Sequence, residues 1–371
     1  MAKRIRVAVL YNEPITSTTS TTVVSANGKI ATVAPNELNG QTKSPSKSRK
    51  LEVPSQVDLS ELGVIEEMED IKSALNSLGY KASILNVDRD VFRLIDFLRE
   101  EKPDLIFNLV ECIDNEAIQE MNVAGIYELL EIPYTGANPL TLGIALNKPL
   151  VKEILTYHNI LTPKFQVFRP SERIVLREGI AFPLIVKPSQ EDASVGIDDD
   201  SVVYNMTDLK KKIRHIFHDF EQPALVEEYI EGREINIAIL GYKKPVTLPI
   251  SEIDFSGLDK NMHKIVSYAA KWVEGTVEFN GTQGVCPAEL PARLEARVKE
   301  IALQCYNLIG CRDYGRVDMR ITRQGVPYVL EVNPNPDISD DAGFARSARV
   351  HGLSFKDAIG KIVESALERA Q

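Results

Sequence analysis

Hydrophobic and polar positions change their spacing several times along the chain, and each change predicts an element. Arg4–Leu10 is a short apolar run of strand type. From Pro14 to Ser60 the pattern stops. This stretch is crowded with Ser and Thr, then Lys, Pro and Asn, and it contains no aromatic residue. It buries too little apolar surface to offset the entropy of ordering it, so a long flexible insertion over 14–60 is expected. Within it, Asn27-Gly28 favours the tight turn of a hairpin. A loop of this length is either functional, as a lid or docking arm, or disordered.

A regular rhythm begins after Leu62. Val64–Leu78 has helical spacing and stops at Gly79, Lys81–Val87 reads as a strand, Val91–Glu101 as a helix and Asp104–Val110 as a buried strand. Glu116–Glu131 is a further helix, and two short ones run on to His158. Alternating strands and helices imply a parallel sheet with helices on its faces. Beyond Pro163 the order changes. Strands are expected at Pro163–Phe168, Phe182–Lys187, Ala224–Ile230, Glu234–Leu240 and Val246–Phe255, with little helix besides Thr207–Phe217. Pro291–Ile309 is a long helix, Tyr314–Thr322 and Val326–Asn333 form a hairpin, and helices over Asp340–His351 and Ser354–Gln371 close the chain. Runs of strands indicate antiparallel sheets of α+β type.

Composition narrows the function. With 371 residues the chain has room for two or three domains of about 100–200 residues. Asp plus Glu number 53 against 43 Lys plus Arg, giving a net charge of −10, which disfavours sequence-independent nucleic-acid binding. No apolar run approaches the ~20 residues of a membrane span, and the basic N-terminus with its brief apolar run is too short for a signal-peptide core. The four cysteines show neither C-x-x-C nor zinc spacing, so free thiols in a cytoplasmic protein are expected.

The hairpin carries the sharpest chemistry. A two-residue turn at Gln324-Gly325 pairs residues so that Asp318 faces Glu331 and Arg316 faces Asn333. Alternation puts Arg316, Asp318, Glu331 and Asn333 on one face, and Val317, Met319, Ile321, Leu330 and Val332 on the other. Opposed carboxylates with Cβ atoms ~5 Å apart repel unless something neutralises them. A divalent cation does so, and hard oxygen ligands suit Mg²⁺; the alternative is a solvated polar face neutralised by Arg316 and Arg320. Pro334-Asn335-Pro336 holds Asn333 at a rigid strand end. Lys187 closes an apolar strand, as a snorkelling residue or a phosphate ligand. The small-residue loop Ser189–Gly196 after it offers backbone N–H groups and Ser194 to phosphate. Neither G-x-G-x-x-G nor G-K-[ST] occurs, which excludes Rossmann and P-loop signatures. Glu227-Glu228 is either a strand edge or an acceptor for adenine and ribose.

Taken in order, "DLIFNLVE", "LLEIPYTGANPLTLGIALNK", "FPLIVKPSQEDASVGI", "ALVEEYIEGREINIAIL", "SYAAKW", "YGRVDMRI" and "YVLEVNPNPDIS" resemble the ATP-grasp superfamily, most closely the D-alanine–D-alanine ligase family. The resemblance covers most of 62–371 and the first strand, and leaves the insertion outside. It implies an ATP-grasp fold: a parallel α/β domain over 1–147, then two α+β subdomains, 148–240 and 241–371, clasping ATP. Residue by residue, Lys148, Lys187 and Lys271 would contact phosphates. Glu227 and the backbone near Tyr229 and Ile230 would meet adenine, and Glu234 the ribose. Asp318, Glu331 and Asn333 would hold two Mg²⁺, with Mn²⁺ as a substitute, and Arg316 would stabilise a tetrahedral oxyanion. Glu13 would meet the first substrate's amino group. The implied reaction is two-step: a carboxylate takes the γ-phosphoryl group of ATP, and an amine displaces phosphate from the acyl phosphate. Partners are ATP and small carboxylates and amines, and self-association as a homodimer is left open.

The departures from the family pattern concern substrates. Leu109-Val110-Glu111 stands for Leu-His-Gly, Ala193 for a serine, Asp337 for an oxyanion-hole glycine, and Ala342-Gly343 for the Ser-Leu pair that grips the second substrate's carboxylate. Three readings follow: a carboxylate–amine ligase, an ATP-grasp enzyme with a non-amino-acid acceptor, or a nucleotide-binding regulator without turnover. No His constellation emerges, and Cys112 reads as a buried structural thiol.

Overall fold

Strand β1 (Arg6–Tyr11) is the centre of the first sheet, and its apolar run is buried almost throughout. The structure is a computed structural model, and it describes residues 4–13, 21–24, 30–33, 63–114, 116–340 and 342–370. Most of the expected insertion therefore lies outside the described residues. Within it β2 (Thr21–Val24) and β3 (Ile30–Val33) pair antiparallel, as the Asn27-Gly28 turn predicts, although the turn itself is not described.

Helix α1 (Val64–Ser77) follows, then β4 (Lys81–Asn86), α2 (Val91–Glu101) and β5 (Leu105–Leu109). The three strands run parallel in the order β4-β1-β5. Asp90 caps α2 by accepting from the Arg93 N–H at 3.1 Å. Helix α3 (Gln119–Leu129) starts later than its sequence pattern predicts, and α4 (Pro139–Leu146) and α5 (Lys148–Tyr157) follow. Asn138 and Asn147 cap these two short helices, and a proline occupies the first turn of each.

The second sheet is antiparallel, β6-β9-β7-β8, from β6 (Phe165–Phe168), β7 (Leu184–Pro188), β8 (Val202–Val203) and β9 (Ala224–Glu228), with α6 (Met206–Asp219) packed on it. The third contains β10 (Arg233–Leu240), β11 (Val246–Thr247), β12 (Ser251–Asp254), β13 (Gln283–Val285), β14 (Tyr314–Ile321) and β15 (Pro327–Asn333). Short helices α7 (Tyr268–Trp272) and α8 (Val277–Gly281) lie between β12 and β13, and the long α9 (Ala292–Ile309) packs on this sheet. Strand β10 pairs with β14 over its whole length, so it belongs with the third sheet rather than ending a unit at residue 240. The strand expected over Val246–Phe255 is broken in two, because Pro249 cannot donate to a ladder. The last helices, α10 (Gly343–Val350) and α11 (Phe355–Arg369), return the chain to the first sheet, where α11 packs beside α1 in one core with β1, β5 and β10.

The hairpin corrects the sequence reading in an instructive way. Its turn has three residues, not two: Thr322 donates to the Val326 carbonyl at 3.0 Å, and Gly325 takes the left-handed φ of +76° that closes such loops. That alone would misalign Asp318 and Glu331. A bulge restores the alignment, because Met319 pairs with Val329 while Asp318 pairs with Glu331, leaving Leu330 as the extra residue. Val329, not Leu330, therefore enters the core with Val317, Met319, Ile321 and Val332.

Candidate active site

Asp318 and Glu331 face each other across the hairpin, and Arg316 and Asn333 sit on the same face. Asp318 is buried. It accepts from Arg316 Nε at 2.9 Å, from Asn236 Nδ2 at 2.7 Å and from Asn333 Nδ2 at 3.0 Å. The Asn333 amide also donates to Glu331 Oε1 at 3.2 Å, so it bridges the two carboxylates. Arg320, expected as a second neutraliser, instead holds Glu234 at 2.8 Å and the Ile230 carbonyl at 2.9 Å, and lies over the Tyr229 ring.

Burial pushes the Asp318 carboxyl up. Arg316 opposes this and Glu331 adds to it. Glu331 is driven the other way: burial would raise it, but Lys148, Lys187, Lys271 and Arg316 together hold it well below the carboxylate range. That effect locates the three lysines, which come from α5, β7 and α7, around one carboxylate. Lys148 opens α5 and its ammonium lies 3.6 Å from Glu331 and 2.5 Å from Asp192 of the loop after β7. Burial lowers the affinity of Lys148 for its proton, yet Asp192 and Glu331 outweigh it, so Lys148 stays charged. Lys187 meets Glu227 at 2.7 Å.

The loop after β7 is built for close approach. Ala193 and Ser194 both take left-handed φ angles, +52° and +64°, and Gly196 follows at +75°. A Cβ at Gly196 would meet Pro188 Cγ at 2.6 Å, so only glycine lets the loop fold back on its own strand. Trp272 Nε1 donates to the Ala193 carbonyl at 2.9 Å, tying this loop to the helix that carries Lys271. On the far side, Tyr229 donates its N–H to the Pro183 carbonyl at 2.9 Å, and Ile230 and Glu234 lie on the same edge beside Arg320.

The structure thus brings Lys148, Lys187, Lys271, Glu227, Arg316, Asp318, Glu331 and Asn333 into one connected group, with Ser194 on its loop and Tyr229, Ile230 and Glu234 along the adjoining edge. Glu13 does not join it through any described contact. It accepts from Tyr11 Oη at 3.0 Å and lines a cleft of about 360 Å³ at the ends of β1 and β4, with Asn12, Asn86, Arg89 and Cys112. Two residues of the group escaped the sequence reading, Asp192 and Lys152. Lys152 lies one turn after Lys148 on α5 and is fully buried. The i, i+4 spacing of two lysines beside buried Val151 and Leu155 was its only signal.

Among the described residues no group of three His, Cys, Asp or Glu could hold a metal by itself. The donor set here is two carboxylates and one amide, all hard oxygens once the Asn333 amide turns its Oδ1 inward. Such a set fits Mg²⁺ when phosphate oxygens and waters complete the shell.

A parallel three-stranded sheet followed by two antiparallel sheets, one of them carrying the paired-carboxylate hairpin, is the architecture of the ATP-grasp fold. The sequence pattern of the family described as "D-ala D-ala ligase C-terminus" matches residues 154–364. An uncharacterized protein of Sinorhizobium fredii is 29% identical, over 81% of this chain and 87% of its own. A D-alanine–D-alanine ligase of Pelotomaculum thermopropionicum is 30% identical, over 81% of this chain and 91% of its own. The crystal structure of D-alanine–D-alanine ligase from Bacillus anthracis complexed with ATP shares the fold, with a TM-score of 0.69 at 24% identity over 99% of this chain and 98% of that one. The chain belongs to the D-alanine–D-alanine ligase family. It is an ATP-dependent carboxylate–amine ligase of the ADP-forming type.

Proposed function

We propose that the protein couples ATP cleavage to amide formation between an amino-acid carboxylate and a small amine, using Mg²⁺ or Mn²⁺, in the cytoplasm. The observation that supports this most is the opposition of Asp318 and Glu331 with three lysines converging on Glu331. A protein that only binds nucleotide could spare one of the two opposed carboxylates.

In this reading Lys148, Lys187 and Lys271 hold phosphate oxygens, with Ser194 and its loop covering them. Glu227 and the backbone at Tyr229 and Ile230 receive adenine, and Glu234 receives the ribose. Asp318, Glu331 and Asn333 would hold two divalent cations, which would supply positive charge against the nucleotide phosphates. The donor carboxylate oxygen bonds to the γ-phosphorus as the bond to ADP breaks. The amine nitrogen then bonds to the acyl carbon, the bond to phosphate breaks, and the amine proton leaves to solvent. Arg316 stabilises the negative oxygen of the tetrahedral state. Glu13 receives the donor's ammonium group. The protein contributes positioning and charge, with no covalent nucleophile of its own.

The acceptor end favours an amine that carries no carboxylate. Ala342 precedes α10 without a side-chain cap, and Asp337 lies near enough to Arg316 to strengthen its hold on its proton. Arg349 is engaged by Asp340 at 2.7 Å, and Arg346 donates to Ser251 Oγ at 3.3 Å. The test is ADP release from ATP and Mg²⁺ with each amino acid of either hand, using hydroxylamine to trap the acyl phosphate as a hydroxamate. Hydroxamate formed with one class of donor supports the proposal. Nucleotide binding without hydroxamate from any donor contradicts it.

A further inference from the structure

Lys152 has no role in the machinery described so far, yet it is among the largest fully buried side chains of the protein. An ammonium group has three hydrogens to donate, and here its partners come from three different segments. It forms an ion pair with Glu227 of β9. It donates to Thr162 Oγ1, in the segment entering β6, at 2.9 Å, and to the Leu330 carbonyl at 3.0 Å. Leu330 is the bulge residue, so its carbonyl is displaced from the regular ladder and needs a donor from elsewhere. The bulge in turn is what sets Glu331 opposite Asp318. Thr162 reinforces the same place by donating to the Val329 carbonyl at 2.9 Å.

Glu227 is shared between two ammonium groups, those of Lys152 and Lys187. One carboxylate neutralises one of them. Lys152 is fully buried, whereas Lys187, at the end of β7, retains slight exposure and is among the charges that act most strongly on Glu331. We infer that Lys152 is a positioning residue: its ammonium offsets the charge of Glu227 and braces the Leu330 bulge, which leaves the Lys187 ammonium, itself 2.7 Å from Glu227, with positive charge to spare for a nucleotide phosphate. The inference rests on the nucleotide reading of this site. The charged groups that face Lys152 are Glu227, Lys187 and, further off, Glu331. Burial pushes its ammonium down to about 8, with Lys187 acting the same way and Glu227 resisting.

In Lys152→Met the side-chain volume is kept, but Glu227 is left to Lys187 alone, and the spare positive charge disappears. ADP binding should weaken by about tenfold or more, the loss expected when a charge-assisted phosphate contact is drawn away. Adenosine carries no phosphate, so it should bind Lys152→Met as tightly as it binds the wild type. A structural role predicts instead that ADP and adenosine weaken together, since a damaged site loses both.

Isothermal titration of ADP with Mg²⁺, and of adenosine, into the full-length wild type and Lys152→Met decides it, with melting temperatures recorded alongside. The expected result is an ADP affinity weakened about tenfold or more in Lys152→Met with adenosine affinity unchanged. ADP binding by Lys152→Met within about threefold of a wild type that binds, or an equal loss of ADP and adenosine affinity, overturns the inference and leaves the functional reading standing. A wild type that binds no ADP overturns the functional reading itself, and the inference with it.

Discussion

Replacing Glu331 with glutamine keeps the shape of the side chain and removes one negative charge from the centre of the site. Two effects follow, and they have opposite signs. Without a divalent cation, Glu331 repels the phosphates of a nucleotide and Asp318 across the hairpin, so Glu331→Gln should bind ADP in EDTA as tightly as the wild type or more so. With Mg²⁺ present, the variant loses a carboxylate–cation attraction. For unit charges ~4 Å apart in an effective dielectric of about 20, that attraction is about 4 kcal/mol. Relief of the repulsion from Asp318 offsets part of it, and the divalent charge works the other way. The net expectation is the loss typical of a preorganised electrostatic group, ~10²–10³-fold in turnover. The assay is ADP release at saturating ATP over a Mg²⁺ titration, paired with ADP titration calorimetry with and without EDTA. A variant that retains more than about a tenth of wild-type turnover, well short of the usual loss, refutes the assignment. So does a variant whose ADP affinity responds to Mg²⁺ as the wild type's does.

Two further outcomes follow from the same geometry. D-alanine should be a poor acceptor, by roughly ten- to a hundredfold against an amine without a carboxylate, because a buried carboxylate short of partners costs ~1–3 kcal/mol; steady-state acceptor kinetics check this, and brisk D-alanyl-D-alanine formation would count against the reading of Ala342 and Asp337. Nucleotide affinity should fall as pH rises through about 8, because Lys152 is charged below that value and neutral above it, and Glu227 is then offset by Lys187 alone; an ADP affinity profile that is flat across this range in the wild type, or equally steep in Lys152→Met, would contradict it.

The order of elements was largely legible because strands and helices of ordinary length leave periodic patterns. Val91–Glu101 is helical over the residues its pattern marks. Elements of five residues or fewer, such as α7, α8 and β13, are too short to show a period. The facing of Asp318 and Glu331 was reached through two compensating errors. The turn is one residue longer than its Gln-Gly pair suggests, and the bulge at Leu330 takes that residue back. Neither is visible in alternation alone, since Val329 and Leu330 are both apolar and either suits the core. Lys152 was invisible for a related reason. A lysine on an amphipathic helix reads as surface, and only the tertiary structure places Glu227, Thr162 and Leu330 around it. The phosphate loop was legible by its small residues, but the pairing of Asp192 with Lys148 was not, because it joins residues 44 positions apart.

The central claim is that a carboxylate takes the γ-phosphoryl group of ATP. The direct measurement uses the donor amino acid labelled with ¹⁸O in its carboxylate, incubated with ATP, Mg²⁺ and an amine, with the released phosphate examined by mass spectrometry. Transfer of one ¹⁸O atom from donor to phosphate for each amide formed is the result predicted for an acyl phosphate. Amide formation with unlabelled phosphate would contradict the account, because the oxygen lost from the carboxylate would then have left by another route.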